Sequence, residues 1–338
     1  MNRWSSVALL VALAVGVCLR WPRLDERPMH NDEAVNAIKF GELWQQGRYR
    51  YDPNEHHGPS LLYATAVVSR LTGAPDFQDF SDQRLRWVSV LFGLGLIGLL
   101  PLIIDGLGRT GAAWAAAFTA TSPAFVFYSR YYIHEVPLVF FTFLALAAGW
   151  RYWRSRRPGW ILLAGAALGL MDATKETFII TLAAAAAAVI INQAWNWYID
   201  ASGAPVHARR LNPWHLAAGL GVWLGVAVIL FSSFFSNPAG PLDSVRTYQA
   251  WFGRAAGNSP HIHNWTFYLH RLLWFHPAKG PVFTEGLILL LALIAAVAGF
   301  RRQRLSGANA SLVRFLALYS VILGAVYSLL PYKTRITE

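Results

Sequence analysis

The stretch HNDEAVNAIKFGELWQQGRYRYDPNEHHGPSLLYA, residues 30–64, opens directly behind a first apolar segment and is the most polar part of the chain. It carries two adjacent carboxylates, Asp32 and Glu33, and then Glu55, His56 and His57. Around it lie long apolar runs, several of roughly 17–22 residues, the length that crosses the hydrocarbon core of a bilayer. Of the 338 residues, 55% are hydrophobic and 14% charged, against about 25% charged in soluble domains. With a mean hydropathy of +0.35, this composition specifies an all-α, polytopic membrane protein.

Apolar runs place about nine transmembrane helices at roughly 4–20, 85–104, 111–128, 137–153, 159–172, 177–195, 214–235, 282–300 and 313–331. Arginines orient them. Arg3, Arg109, the group Arg151, Arg154, Arg156 and Arg157, the pair Arg209 and Arg210, and Arg301, Arg302 and Arg304 all fall on one side. The positive-inside rule assigns that side to the cytoplasm. The N-terminus is then cytoplasmic, and residues 30–64 lie outside, in a loop of about 21–84 that is too long to obey the rule. The run from Pro59 to Thr72 is too short to span upright. A helix on or in the membrane surface is expected there, started by Pro59 and stopped by Gly73. A second outer loop, about 236–281, spaces aromatics, Arg and His as amphipathic interfacial helices do. The expectation is one transmembrane domain over residues 1–338 in the cytoplasmic membrane, with its active face extracytoplasmic.

A net charge of +11 and a pI near 10 would suit nucleic acid. The arginines sit in short loops between apolar runs, however, so the partner they indicate is the bilayer and no nucleic acid is expected. The single cysteine, Cys18, excludes an internal disulfide framework. Arg3 before a short apolar core has the look of a secretory signal, but no A-x-A site follows, and an uncleaved first span is the better reading.

Ionisable residues close to membrane depth gather on the outer face. Asp32 and Glu33 follow the first span; Arg130, His134 and Glu135 join the third to the fourth; Asp172, Lys175 and Glu176 join the fifth to the sixth. Charges beside hydrocarbon are costly and mark a site, a pathway or a pairing. Each also has a plainer reading. Asn31 or Asp32 could cap a helix beginning at Ala34, with Glu33 favoured in its first turn. Arg130 could simply pair with Glu135. Glu55, His56 and His57 offer half of a zinc or manganese ligand set, although adjacent histidines chelate poorly within a helix; His261 with His263 offers less. No cofactor is expected.

An acidic pair behind the first span, surface helices after it, and SRYYIHEVPLVFF at the turn between spans three and four resemble the GT-C superfamily of membrane glycosyltransferases. The similarity is to its protein O-mannosyltransferase and aminoarabinose transferase branch. HNDEAVNA, YRYDPNEHHGP and PYKT look most similar to the flippase-activity-associated family of archaeal-type N-glycosylation, which also occurs in bacteria. The resemblance covers about residues 5–334. It implies a sugar donor carried on polyprenyl phosphate and an acceptor that is a glycan, a protein or a lipid. Carried over residue by residue, Asp32 matches the catalytic base, Glu33 completes the acidic pair, and Glu135 matches the second acidic position. Relatives continue past PYKT with Pro-Trp and further spans, whereas RITE ends this chain, which puts the completeness of the donor or acceptor pocket in question.

Inverting transfer needs a carboxylate within reach of the acceptor hydroxyl and cations around the departing phosphate. Arg130 and Lys175 lie on short turns where a lipid phosphate would sit. Arg246, Arg254 and Lys333 are further cations, and Glu55, His56 and His57 complete the substrate-binding candidates. The alternatives are a lipid or lipid-sugar flippase or transporter, and a non-catalytic accessory subunit of a membrane complex. A transporter should carry ionisable groups near mid-membrane and broken helices in matching halves, whereas these carboxylates cluster at one edge.

Overall fold

A computed structural model of the chain describes residues 3–54, 57–73, 76, 80–200, 211–255, 262–276, 280–301, 305 and 307–331. Among them the regular structure is helical, apart from isolated bridge residues that include an antiparallel pair, Phe275 and Phe283. In chain order the helices are α1 (Arg3–Arg20), α2 (Asn31–Gln46), α3 (Ser60–Leu71), α4 (Asp82–Leu99), α5 (Ile104–Thr121), α6 (Pro123–Tyr128) and α7 (Glu135–Ser155). They continue as α8 (Pro158–Asp172), α9 (Phe178–Asp200), α10 (Pro213–Phe231), α11 (Gly240–Ala255), α12 (Phe267–Leu273), α13 (Gly286–Phe300) and α14 (Ala310–Leu329). Local chemistry sets many of the ends. Ser81, Asn212 and Asn309 cap α4, α10 and α14 with their side chains, and Pro158 and Pro213 open α8 and α10.

By length and composition, five helical stretches among the described residues can cross a membrane: Asp82–Thr121, Glu135–Ser155, Phe178–Tyr198, Pro213–Phe231 and Ala310–Leu329. Four shorter apolar helices accompany them, Ser5–Arg20, Ser60–Leu71, Pro158–Asp172 and Gly286–Phe300. This is a polytopic membrane protein. The 40 residues from Asp82 to Thr121 would make a rod of about 60 Å, twice a bilayer core. A 3-10 turn at Leu100–Ile103 and a non-helical Gly108 divide it. Gly108 has φ +75°, and a Cβ there would lie 2.2 Å from the Gly307 carbonyl oxygen, so only glycine serves.

Two expected spans end earlier than their hydropathy suggests. The 111–128 run breaks at Ser122, where ψ swings to 122° and Pro123 starts a new helix. Glu285, just ahead of α13, accepts from Ser122 Oγ at 2.7 Å and from the Ala124 N–H at 2.8 Å, and so caps α6 from another part of the chain. The 214–235 run stops at Phe231, after which Ser233, Phe234 and Phe235 take positive φ values. Elsewhere the helices sit close. A Cβ on Gly165 of α8 would fall 2.1 Å from the Gly219 carbonyl oxygen of α10, an approach that small residues permit inside a membrane.

The largest buried cluster lies beneath the loops that follow α1. Phe40, Leu43, Tyr49, Tyr51, Leu61, Leu62, Leu85, Val88 and Tyr132 pack there with Ala173, Ala227 and Phe231. The helix expected at the membrane surface is α3. Leu61, Leu62 and Thr65 are buried on one face, while Val67 and Leu71 are exposed. Its N-terminus is pinned to the turn after α8, with Gly58 N and Ser60 N donating to Thr174 and Ala173 carbonyls at 3.1 and 2.8 Å. In the later loop, α11 and α12 expose Leu242, Val245, Phe252 and Leu269, as interfacial helices do.

Candidate functional site

The acidic pair divides into two unlike carboxylates. Helix α2 starts at Asn31, three residues before the expected start, and its cap is His30. His30 Nδ1 accepts from the Asp32 N–H at 3.3 Å, and the Glu33 carboxylate accepts from the His30 N–H at 3.0 Å, closing a reciprocal box. Glu33 goes further. It is fully buried and also accepts from Arg86 Nε at 2.8 Å and Nη2 at 3.0 Å, Arg27 Nη2 at 2.9 Å and the Tyr132 N–H at 2.9 Å. Burial alone would raise its pKa, but these bonds, led by Arg86, hold it below the usual carboxylate range. Glu33 was expected among the catalytic carboxylates, yet every approach to it is taken. Asp32 instead presents a side chain that is 57% exposed, with His30 Nδ1 3.8 Å away. It is not the helix cap, and its carboxylate faces outward.

Arg86 was not singled out by sequence, though an arginine five residues into an apolar helix needs a buried partner. Its Nη1 also donates to the Leu24 and Arg27 carbonyls, so one guanidinium fastens the 24–28 loop, α2 and α4 together.

A second cluster forms where three loops meet. Lys175 Nζ is 2.6 Å from Glu135 Oε1. His57 Nδ1 lies 3.0 and 3.1 Å from the two oxygens of Glu176. His134 Nε2 sits 3.1 Å from the Gly58 carbonyl oxygen, and the His57 and His134 rings meet edge to face at 5.1 Å. Burial first, and then the neighbouring His57, push His134 down to about 3. It is therefore neutral, with its proton on Nε2 facing the carbonyl, and its buried Nδ1 has no partner among the described residues. Burial disfavours the charge on Lys175, but Glu135 outweighs this and holds it protonated above the ordinary lysine range. Burial likewise opposes ionisation of Glu176, and its bond to His57 lowers it below the usual value.

The seven residues Ser129–Glu135 run through both clusters. Ser129 Oγ accepts from Arg20 Nε at 3.3 Å, Tyr132 N reaches Glu33, His134 reaches Gly58, and Glu135 reaches Lys175. Arg130 is the exception to expectation. It makes no ion pair with Glu135; its guanidinium turns back to the end of α1 and donates to the carbonyls of Leu19, Arg20 and Arg23 at 3.3, 3.1 and 3.1 Å. A helix C-terminus leaves such carbonyls without partners and carries partial negative charge, which suits a cation. Burial, then the charges of Arg27 and Arg86, lower the Arg130 pKa.

Of the remaining candidates, Asp172 accepts from Trp223 Nε1 at 3.1 Å, and Arg246 forms an exposed pair with Asp243 at 3.0 Å. Glu55, His56, His261 and Lys333 lie outside the described residues, as does the side chain of Arg254. Among the described residues no group of three or more His, Cys, Asp or Glu is arranged to hold a metal.

Residues 56–204 match the family model for dolichyl-phosphate-mannose-protein mannosyltransferase. No curated protein matches the chain in sequence. Among solved structures, the apo oligosaccharyltransferase of Archaeoglobus fulgidus superposes with a TM-score of 0.59 over 98% of this chain and 50% of its own, at 14% identity. Apo ArnT from Cupriavidus metallidurans gives 0.55 over 96% of this chain and 59% of its own, at 21% identity. The same protein bound to undecaprenyl phosphate gives 0.54 over the same shares. The chain spans about half of the first and three-fifths of the second. The family match lies within a helical architecture common to these proteins, and the chain has the fold of the GT-C superfamily of membrane glycosyltransferases.

Proposed function

We propose that this chain transfers a sugar from a polyprenyl-phosphate-linked donor to an acceptor glycan, protein or lipid on the extracytoplasmic side, with inversion and with Asp32 as general base. The observation that carries the reading is the split of the acidic pair. Glu33 is locked by five hydrogen bonds, and the rigid helix start that it holds presents Asp32 to solution. A base that must take a proton from an acceptor hydroxyl needs both a fixed position and access. Glu33 is then a positioning residue.

Lys175 is the cation best suited to the departing phosphate. It stays charged, it is held by Glu135 on a short turn between membrane helices, and negative charge grows on the leaving group as the sugar bond breaks. His57 and Glu176 beside it form an imidazole–carboxylate pair suited to hydrogen-bonding a sugar or acceptor. Undecaprenyl phosphate bound to ArnT, a protein of the same fold, supports a lipid-phosphate donor here.

The test is direct. Purified protein in lipid should release polyprenyl phosphate and transfer label from at least one member of a panel of polyprenyl-phosphate sugars; inertness toward the whole panel with every acceptor class would sink the reading. Sidedness has its own test. A cysteine replacing Asn54 should react with an impermeant thiol reagent added to intact cells, and one replacing Ser155 should not; the reverse pattern would put the site in the cytoplasm.

A further inference from the structure

A cavity of about 130 Å³ lies beside the end of α1, lined by Arg23, Leu24, Arg27, Phe127, Arg130 and Tyr131. Asp32, Lys175 and the histidines do not line it. Three guanidiniums around so small a space are unusual, since like charges repel at short range and guanidinium cannot shed its proton. The local carboxylates do not balance them. Arg27 and Arg86 share Glu33, and Arg23 has only Glu26, 3.5 Å away, with both side chains largely exposed. Arg130 is solvated by carbonyl dipoles and has no carboxylate in hydrogen-bonding contact. Four guanidiniums therefore share two ion-paired carboxylates, and the remaining acid of this loop, Asp25, is exposed and forms no ion pair with any of them among the described residues.

Two of the three arginines, Arg27 and Arg130, are also held in place, while Arg23 is exposed. Arg27 stacks on the Tyr131 ring, its Cζ 3.4 Å from the centroid, while Nη2 donates to Glu33 and, at 3.4 Å, to the Arg130 carbonyl. Arg130 is tied down by three carbonyls. Arginines fixed before the ligand arrives lose little entropy on binding it, and their planar forks match tetrahedral oxyanions. The surroundings point to depth as well. Leu19 and Phe125 expose apolar surface nearby in sequence, and Trp21 stacks on Trp87 at 5.4 Å, as aromatics do at headgroup level.

We propose that the Arg23–Arg27–Arg130 cavity binds one phosphate group carrying one or two negative charges, separately from the sugar donor. A bilayer phospholipid headgroup and a soluble phosphate share that chemistry. Occupancy would fasten the end of α1 to the 129–135 segment, and through Arg27 to Glu33 and the start of α2. The burial of Arg130 and the charges of Arg27 and Arg86 already disfavour its charged form, and a bound anion relieves that strain.

The experiment needs no donor, so it stands or falls apart from the glycosyl-transfer reading. Delipidated full-length protein is titrated with phosphatidylglycerol by native mass spectrometry, and with inorganic phosphate by thermal unfolding. Wild type should bind one phosphatidylglycerol, or be stabilised by phosphate at low millimolar concentration or below. Lipid binding alone assigns a headgroup; displacement of the lipid by phosphate, or phosphate binding alone, assigns a soluble source. Arg27→Gln also touches Glu33 and could fold poorly, so Arg23→Gln, at an exposed position, is the second variant. Each should weaken binding about tenfold, the size of one charge-assisted contact. Arg154→Gln, on the opposite end of α7, should change nothing. The proposal is overturned if neither probe binds, if Arg23→Gln binds both as wild type does, or if Arg154→Gln weakens binding equally.

Discussion

The two ends of the helical bundle treat charge in opposite ways. Where α2 and α4 begin, Glu33 is fully enclosed and answered by Arg86. Nearby, Glu176 is mostly enclosed beside His57, while Glu135 keeps a partly open side chain against Lys175; all of these partners are far away in sequence. Where α4 and α7 run out at the other end, Asp105 faces Arg151 and Arg154 at 3.8 and 3.5 Å in the open, with side chains 29–52% exposed. An exposed pair gains little, because water solvates both partners nearly as well apart. A buried one must be complete, because removing either partner strands a charge. The first end uses charge to fix atoms in place; the second carries charge that water solvates.

The largest effect that this contrast implies is at Glu33. Glu33→Gln leaves Arg86, itself 1% exposed, without its counter-charge and should cost about 3–5 kcal/mol, read as a large fall in melting temperature and folded yield. A variant that melts like wild type would make the buried pair dispensable. Next comes Asp32→Asn, which should melt as wild type does while turnover falls by about 10²-fold or more. Loss of stability with turnover retained would reverse the roles given to the two acids.

Lys175→Gln should lower turnover by roughly ten- to a hundredfold, the size of one charge-assisted bond that strengthens as the phosphate leaves. If the lysine serves only Glu135, then Lys175→Gln and Glu135→Gln would lower thermal stability alike and leave donor kinetics unchanged. The smallest effect is expected at the far end, where Asp105→Asn should shift stability by less than about 1 kcal/mol. A shift as large as that of Glu33→Gln would erase the distinction between the ends.

Much of this architecture was legible in the sequence because the bilayer imposes one length and one polarity on every crossing helix. The runs at 137–153, 159–172 and 177–195 correspond to α7, α8 and α9 within a few residues. The breaks were less visible, because Ser122 and Pro123 lie within continuous apolar sequence and hydropathy does not register a change in ψ. Asp32, Glu135, Lys175, Glu176 and His57 could be picked out at a membrane edge, but which of them pair could not. Arg130 and Glu135 are near enough in sequence to read as a pair; a helix beginning at Glu135 sends one toward α8 and leaves the other facing α1. Arg86 passed as part of a span, and His30 is absent from the usual list of capping residues. A carboxylate and a guanidinium 53 positions apart leave no local trace of their contact.

The Glu285 cap has a consequence in time. Its carboxylate meets Ser122 and Ala124 across separations of 163 and 161 residues. At ribosomal speeds of about 5–20 residues per second, α6 waits on the order of ten to thirty seconds for that acceptor to be made. Until then the start of α6 has only its local cap, the Ser122 hydroxyl that accepts from the Phe125 N–H at 3.2 Å. The partners of Ser129–Glu135 have all been made once synthesis reaches Lys175, so the loop that joins the two clusters can be secured well before the helix ahead of it receives its cap.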